Sequence, residues 1–178
     1  ERVLALGGLD YPPEDDETPD WAERPAVRLF VARAARAYPQ FSAERERAGI
    51  LRICRLVDGM PLALELAAAL TRTAPCAEIA REIERDASRL ASEDDPALSP
   101  RHRRLDVAVA CAWNQLDAAH QACAASLSFI RGTITSESAE AVAGASLRQL
   151  SALVDRSWLR RLPEGGYAMH DVLRQFAA

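Results

Sequence analysis

Met60 to Leu70 is the longest apolar stretch of this chain, broken only by Glu65. Gly59 precedes it, and Pro61 stands where a helix takes its first residue. That position tolerates proline because its N–H would be unpaired in any case. A helix over Leu62 to Thr71 would be apolar nearly all round. It has no face to offer water, so it must lie at the centre of other elements. The run is too short to cross a bilayer, which takes roughly 20 residues. The chain therefore needs amphipathic helices to surround it, and the flanking sequence supplies them.

Pro25 suits the first position of a helix in which Val27, Phe30, Val31, Ala34 and Tyr38 share one face. Arg28, Arg33 and Arg36 fall on the other face, and Pro39 ends it. Ser42 can cap a second helix with the stripe Ile50, Ile53, Cys54 and Val57, closed by a left-handed turn at Gly59. Pro75 opens a fourth helix with Ile79, Ile83, Ala87 and Leu90 on one side. Upstream, Val3 to Leu6 reads as a short buried strand. Tyr11 to Pro25 reads as a proline-rich loop, and its acidic run Glu14-Asp15-Asp16-Glu17 reads as solvated rather than metal-binding. Ala91 to Pro100 reads as a linker.

The pattern changes after Pro100. Leu105, Val109, Ala112, Trp113 and Leu116 make one helical stripe, and Asp117 caps a helix running to about Phe129. Ile130 to Ile134 is β-like. Thr135-Ser136-Glu137 starts a short helix ending near Gly144, and Leu147, Leu150, Leu153 and Val154 mark the next. Strands over Ser157 to Leu162 and Tyr167 to Met169 flank Pro163-Glu164-Gly165-Gly166, a hairpin signal. A last helix begins at His170 or Asp171. The expected fold is mainly α: a helical bundle, then a winged-helix order of helices followed by a small β-hairpin.

The 178 residues are 49% hydrophobic and 27% charged, a globular composition. Every one of the 22 basic residues is Arg. Without lysine there is neither a P-loop, whose lysine reaches the phosphates, nor Schiff-base chemistry. GxGxxG, HExxH, GxSxG and EF-hand patterns are missing too. Cys54, Cys76, Cys111 and Cys123 are widely spaced, which suits buried thiols in a reducing compartment better than disulfides or zinc. A cytoplasmic location is expected. The first residue, Glu1, already stands inside an apolar segment, as expected of a piece cut from a longer polypeptide.

Some residues invite two readings. Arg101-His102-Arg103-Arg104, just before a helix, could touch phosphate or be a solvated junction. Glu65 needs a partner such as an arginine of a neighbouring domain if buried, or none if it faces solvent. In the helix from Leu147 to Arg156, the recognition position of a winged helix, Arg148 and Arg156 are partly cancelled by Asp155. That is a poor basic face for DNA, and fold alone does not establish DNA binding.

Two strings together suggest a family. Gly59-Met60-Pro61-Leu62-Ala63-Leu64 resembles the "GLPLAL" motif of STAND-class, NB-ARC-like signalling ATPases, and Met169-His170-Asp171 resembles their "MHD" motif. Glu1 to Pro13, Ala26 to Phe30, Arg101 to Leu105, Leu127 to Gly132 and Leu153 to Leu159 resemble further family segments in the same order. The resemblance covers essentially the whole chain and is nearest to bacterial multidomain regulators, including transcriptional ones.

The resemblance implies a helical bundle at 25–98 and a winged-helix domain at 101–178, after a segment 1–24 that ends the nucleotide-binding core, and with them a regulatory, autoinhibitory role. The winged helix would fold back on the chain's own upstream nucleotide-binding core and hold ADP; exchange for ATP, with Mg, would release it for oligomerisation with like subunits. Pro61, after Gly59, would lie beside adenine and ribose. His170 would reach the β-phosphate, and Asp171 would orient that contact. Because the P-loop and Walker B acid belong to the upstream core, this segment alone should not hydrolyse ATP or retain nucleotide. Direct DNA binding and membrane association are not expected. The alternatives are a DNA-binding winged-helix module and an adaptor bundle with no nucleotide role. The residues alone also permit a structural reading, with Pro61 as a helix opener and His170 as a helix cap.

Overall fold

A computed structural model describes residues 8–13, 20–90 and 100–178. The strand expected at Val3 to Leu6, the acidic run Glu14 to Glu17 and the linker at 91–99 lie outside the described residues. The chain is mainly helical with one small antiparallel hairpin, as the periodicity predicts. It divides into two compact units, Glu1–Cys111 and Ala112–Ala178.

In the first unit, a 3-10 turn at Trp21–Glu23 leads into α1 (Pro25–Ala37), followed by α2 (Ala43–Leu56), α3 (Pro61–Ala69) and α4 (Cys76–Leu90). The last of its elements, α5 (Pro100–Asn114), runs past the end of the unit. The all-round apolar sequence of α3 has the expected consequence: Ala63, Leu64, Leu66, Ala67, Ala68 and Ala69 are all buried. α3 packs on α1, and α2 packs on α4. Phe30, Ile50, Ile53 and Leu64 fill the centre with no exposed surface, and Val107, Ala108 and Cys111 of α5 join that core.

Several local expectations change. α3 stops at Ala69 and tightens into a 3-10 turn at Leu70–Arg72. Ser42 sits at the N-cap of α2 but makes no side-chain cap bond. α4 starts one residue after Pro75, and the N–H of Cys76 donates to Glu46 Oε2 of α2 at 2.8 Å. A carboxylate distant in sequence thus satisfies a free N–H at this helix start. Arg101 to Arg104 occupy the first turns of α5 rather than preceding it.

The second unit contains α6 (Ala118–Ser128), α7 (Ser136–Ala143), α8 (Leu147–Asp155), strands β1 (Arg160–Arg161) and β2 (Tyr167–Ala168), and α9 (Asp171–Ala177). α7, α8 and α9 each pack on α6. Leu127, Ile134, Leu150, Leu153, Trp158 and Leu173 are its largest buried side chains. The strands are shorter than their β-rich sequence suggests, pairing only Arg160 with Ala168 and Arg161 with Tyr167. Ile134 adds a single bridge, exchanging backbone bonds of 2.8 and 2.7 Å with Tyr167. Trp113, Trp158 and Phe176 form an aromatic cluster with ring centroids 5.1–6.5 Å apart.

Candidate functional site

Gly59 and Pro61 belong to the first unit; His170 and Asp171 belong to the second. Each pair has its own local logic.

α2 ends in two consecutive left-handed residues, Asp58 at φ +53° and Gly59 at φ +62°. The turn is locked by Gly59 N–H donating to Cys54 O at 3.0 Å, and by Leu9 N–H donating to Gly59 O at 2.8 Å. The contact with Leu9 is backbone against backbone. A Cβ at Gly59 would stand 2.1 Å from Leu9 O, and one at Gly8 would stand 1.9 Å from Asp58 O. Only glycine fits either place. Pro61 then opens α3 as an exposed residue, while Ala63, Leu64 and Leu66 to Ala69 behind it are buried. The turn therefore presents one rigid apolar ring on a backbone that has little freedom to move.

The side chain of Asp58 reaches out from this turn. Its Oδ1 accepts from the Tyr11 hydroxyl at 3.0 Å, and its Oδ2 lies 3.6 Å from Arg104 Nη1 of α5. Burial, and then the bond to Asp58, push the Tyr11 phenol above its ordinary value; Arg104 pulls the other way. None of this network is visible in sequence spacing, because its members are 47 and 46 residues apart, from Tyr11 to Asp58 and from Asp58 to Arg104.

In the second unit, His170 is the N-cap of α9, and its Nδ1 accepts the N–H of Val172 at 3.2 Å. A neutral imidazole that accepts at Nδ1 carries its proton on Nε2. The residue is exposed, so that donor is available to a partner. His170 rather than Asp171 thus caps the helix. The Asp171 carboxylate is 91% exposed and stands 3.9 Å from Arg174 Nε. Arg174 in turn donates from Nη1 to Ser128 O at 2.8 Å and also to Ile130 O, fastening α9 to the end of α6.

Glu65 finds its partner within its own bundle. Arg33 Nη2 of α1 donates to its Oε1 at 2.8 Å, and both side chains remain about one-third exposed. Such a screened pair contributes under about 1 kcal/mol. The four cysteines are free and buried. Burial pushes the Cys54 thiol up to about 12 and raises the other three as well, so none is a thiolate nucleophile near neutral pH. Among the described residues, no group of three or more His, Cys, Asp or Glu could hold a metal ion, and no helix is long and apolar enough to cross a membrane.

No family model matches the chain, and no solved structure matches it at a significant level. It is similar to one protein of Mycobacterium bovis and two from strains of Mycobacterium tuberculosis, each described as a "putative HTH-type transcriptional regulator". Identity is 48% over 56 residues, which is 31% of this chain and 6% of each relative. The matched part thus spans well under a tenth of the relatives' length, and their description belongs to much longer proteins. The similarity links the chain to transcriptional regulators and carries no information on a nucleotide site.

Proposed function

We propose that the chain is a regulatory segment of a multidomain transcriptional regulator, and that it responds to nucleotide held mainly by a binding core elsewhere in the same polypeptide. The exposed Pro61 ring supplies an apolar wall beside the base. Gly59 keeps that wall close to the backbone of Leu9. His170 Nε2–H donates to the β-phosphate of ADP, and Asp171 adds a carboxylate at the same corner. The observation that carries the reading is the division of labour at His170: Nδ1 is committed to the helix cap, which fixes the ring and leaves Nε2 outward as a donor. Because the sequence has no lysine and so no P-loop, the segment by itself should neither hydrolyse ATP nor hold ADP better than about 1 mM, near −4 kcal/mol. Calorimetry with ADP tests this, and micromolar binding to the segment would contradict it. In the full-length protein Pro61→Ala weakens ADP and ATP alike, because the base wall serves both.

A DNA-binding reading has its own support. α7 and α8 are short helices joined by three residues that include the left-handed Gly144 (φ +60°), the order of a helix-turn-helix, and the mycobacterial relatives are described as HTH-type regulators. Arg148, Ser151, Arg160 and Arg161 are exposed on α8 and the hairpin. Against it stand Glu137, Glu140 and Asp155, also exposed on the same two helices. Titration with duplex DNA at two salt concentrations separates the readings. Phosphate-driven binding weakens steeply as salt rises. The nucleotide reading expects no sequence-specific binding; specific binding with a steep salt slope would favour the DNA reading.

A further inference from the structure

The turn that carries Gly59 and Pro61 is held by a side chain as well as by backbone. Asp58 adopts φ +53°, a conformation few residues other than glycine accept, although Asp and Asn accept it more readily than most. Its carboxylate reaches two segments at once: the chain leading to α1, through Tyr11, and the first turns of α5, through Arg104. Gly8 and Leu9, close in sequence to Tyr11, lie against the backbone of Asp58 and Gly59: Leu9 N–H donates to Gly59 O, and a Cβ on Gly8 would reach 1.9 Å from Asp58 O. Two distant parts of the chain thus converge on one residue next to the candidate nucleotide wall.

We propose that Asp58 is a positioning residue: its carboxylate, held between Tyr11 and Arg104, fixes the turn that presents Gly59 and Pro61 and ties that turn to α5. The nucleotide aspect of this role rests on the function proposed above; the mechanical aspect does not. It also gives the last arginine of the Arg101–Arg104 run a specific task. Arg104 and Asp58 are part-exposed, with side-chain exposures of 46% and 36%, so the bond to α5 is weakened by salt while the Tyr11 bond is less affected.

The test uses Asp58→Asn and Arg104→Gln in this chain. Asn tolerates the left-handed turn and removes only the charge. The Tyr11 ring signal is followed by NMR against pH, together with hydrogen exchange of the Leu9 amide that bonds to Gly59. Tyr11 should titrate lower in Asp58→Asn and higher in Arg104→Gln, because the carboxylate raises its pKa and the guanidinium lowers it. Exchange at Leu9 should quicken several-fold in Asp58→Asn. A residue that only fills space would not give shifts of opposite sign. Unchanged or same-sign Tyr11 shifts, or unchanged Leu9 exchange, would overturn the proposal. ADP release from the full-length Asp58→Asn protein separates the two readings: it should quicken together with Leu9 exchange. Faster Leu9 exchange with unaltered ADP release would keep Asp58 as the holder of the turn and would count against Pro61 as a nucleotide wall.

Discussion

In the first unit α1 and α3 begin on Pro25 and Pro61, and neither takes a side-chain cap; α2 follows Ser42 without using its hydroxyl. In the second unit α6, α7, α8 and α9 all begin on a side chain that accepts a backbone N–H: Asp117, Thr135, Ser146 and His170. Proline works by presetting φ and removing a donor that would go unpaired, so it is indifferent to charge and to pH. A polar cap works through an atom that can titrate, be mutated or be drawn to a ligand. The starts of α1, α2 and α3 are consequently set without a side-chain cap, although Glu46 serves the start of α4, whereas those of α6 to α9 rest on replaceable polar contacts. The candidate residues follow the same division. Pro61 is a fixed wall, whereas His170 is a cap with a second nitrogen to offer.

This contrast can be broken most severely at Gly59. Gly59→Ala forces a Cβ into a left-handed residue and to within 2.1 Å of Leu9 O. Strain of this kind alone costs on the order of 1–3 kcal/mol. With the clash added, the first unit should lose about 3 kcal/mol or more by urea unfolding, and the second unit should be unaffected. A loss below about 1 kcal/mol would mean that the turn is not locked.

Cap substitutions sharpen the comparison at smaller size. Thr135→Ala and Ser146→Ala each remove a capping box, and each should cost about 1 kcal/mol in the second unit. Ser42→Ala removes no cap bond and should leave the first unit nearly unchanged, whereas Glu46→Ala, which strips the N–H of Cys76 of its acceptor, should not. Equal effects of Ser42→Ala and Thr135→Ala would erase the distinction between the units.

The smallest effect is one of pH. The backbone N–H and then the ring of His120 hold the Asp117 carboxyl below its ordinary value of 3.8. A carboxyl depressed in the folded state adds stability above its unfolded value and loses it as pH falls through the folded one. The second unit should therefore weaken slightly more steeply below about pH 4 than the same protein carrying Asp117→Asn, as followed by circular dichroism during acid titration.

Much of this fold was legible in the sequence because its signals are local. Pro25, Pro61, Asp117, Thr135 and Gly144 mark helix ends through their own backbone chemistry, and α3 announces its burial by having no polar face. Non-local contacts were not legible. Glu46 reaches Cys76 across 30 residues, and Gly49 in mid-helix stands where α2 meets α4, so that a Cβ there would come within 2.5 Å of Cys76 Cβ. The arginine expected beside Glu65 from another domain is Arg33 of the same bundle. At the candidate site the positions of Pro61 and His170 could be read from motifs. The Asp58 bridge could not, because its three members come from distant parts of the chain.

The most direct test concerns His170 in the full-length protein, with ADP dissociation rates measured for His170→Ala and His170→Asn. Asparagine can cap α9 through its side-chain oxygen but cannot present the outward ring N–H, whereas alanine does neither. A charge-assisted bond to phosphate is worth about 1.5–3 kcal/mol, which corresponds to roughly ten- to a hundredfold in affinity. Both variants should therefore release ADP faster by about that factor, ATP release should change less, and only alanine should destabilise the second unit. Wild-type ADP release in His170→Asn would show that the imidazole serves only as a cap, and would contradict the nucleotide-sensing role.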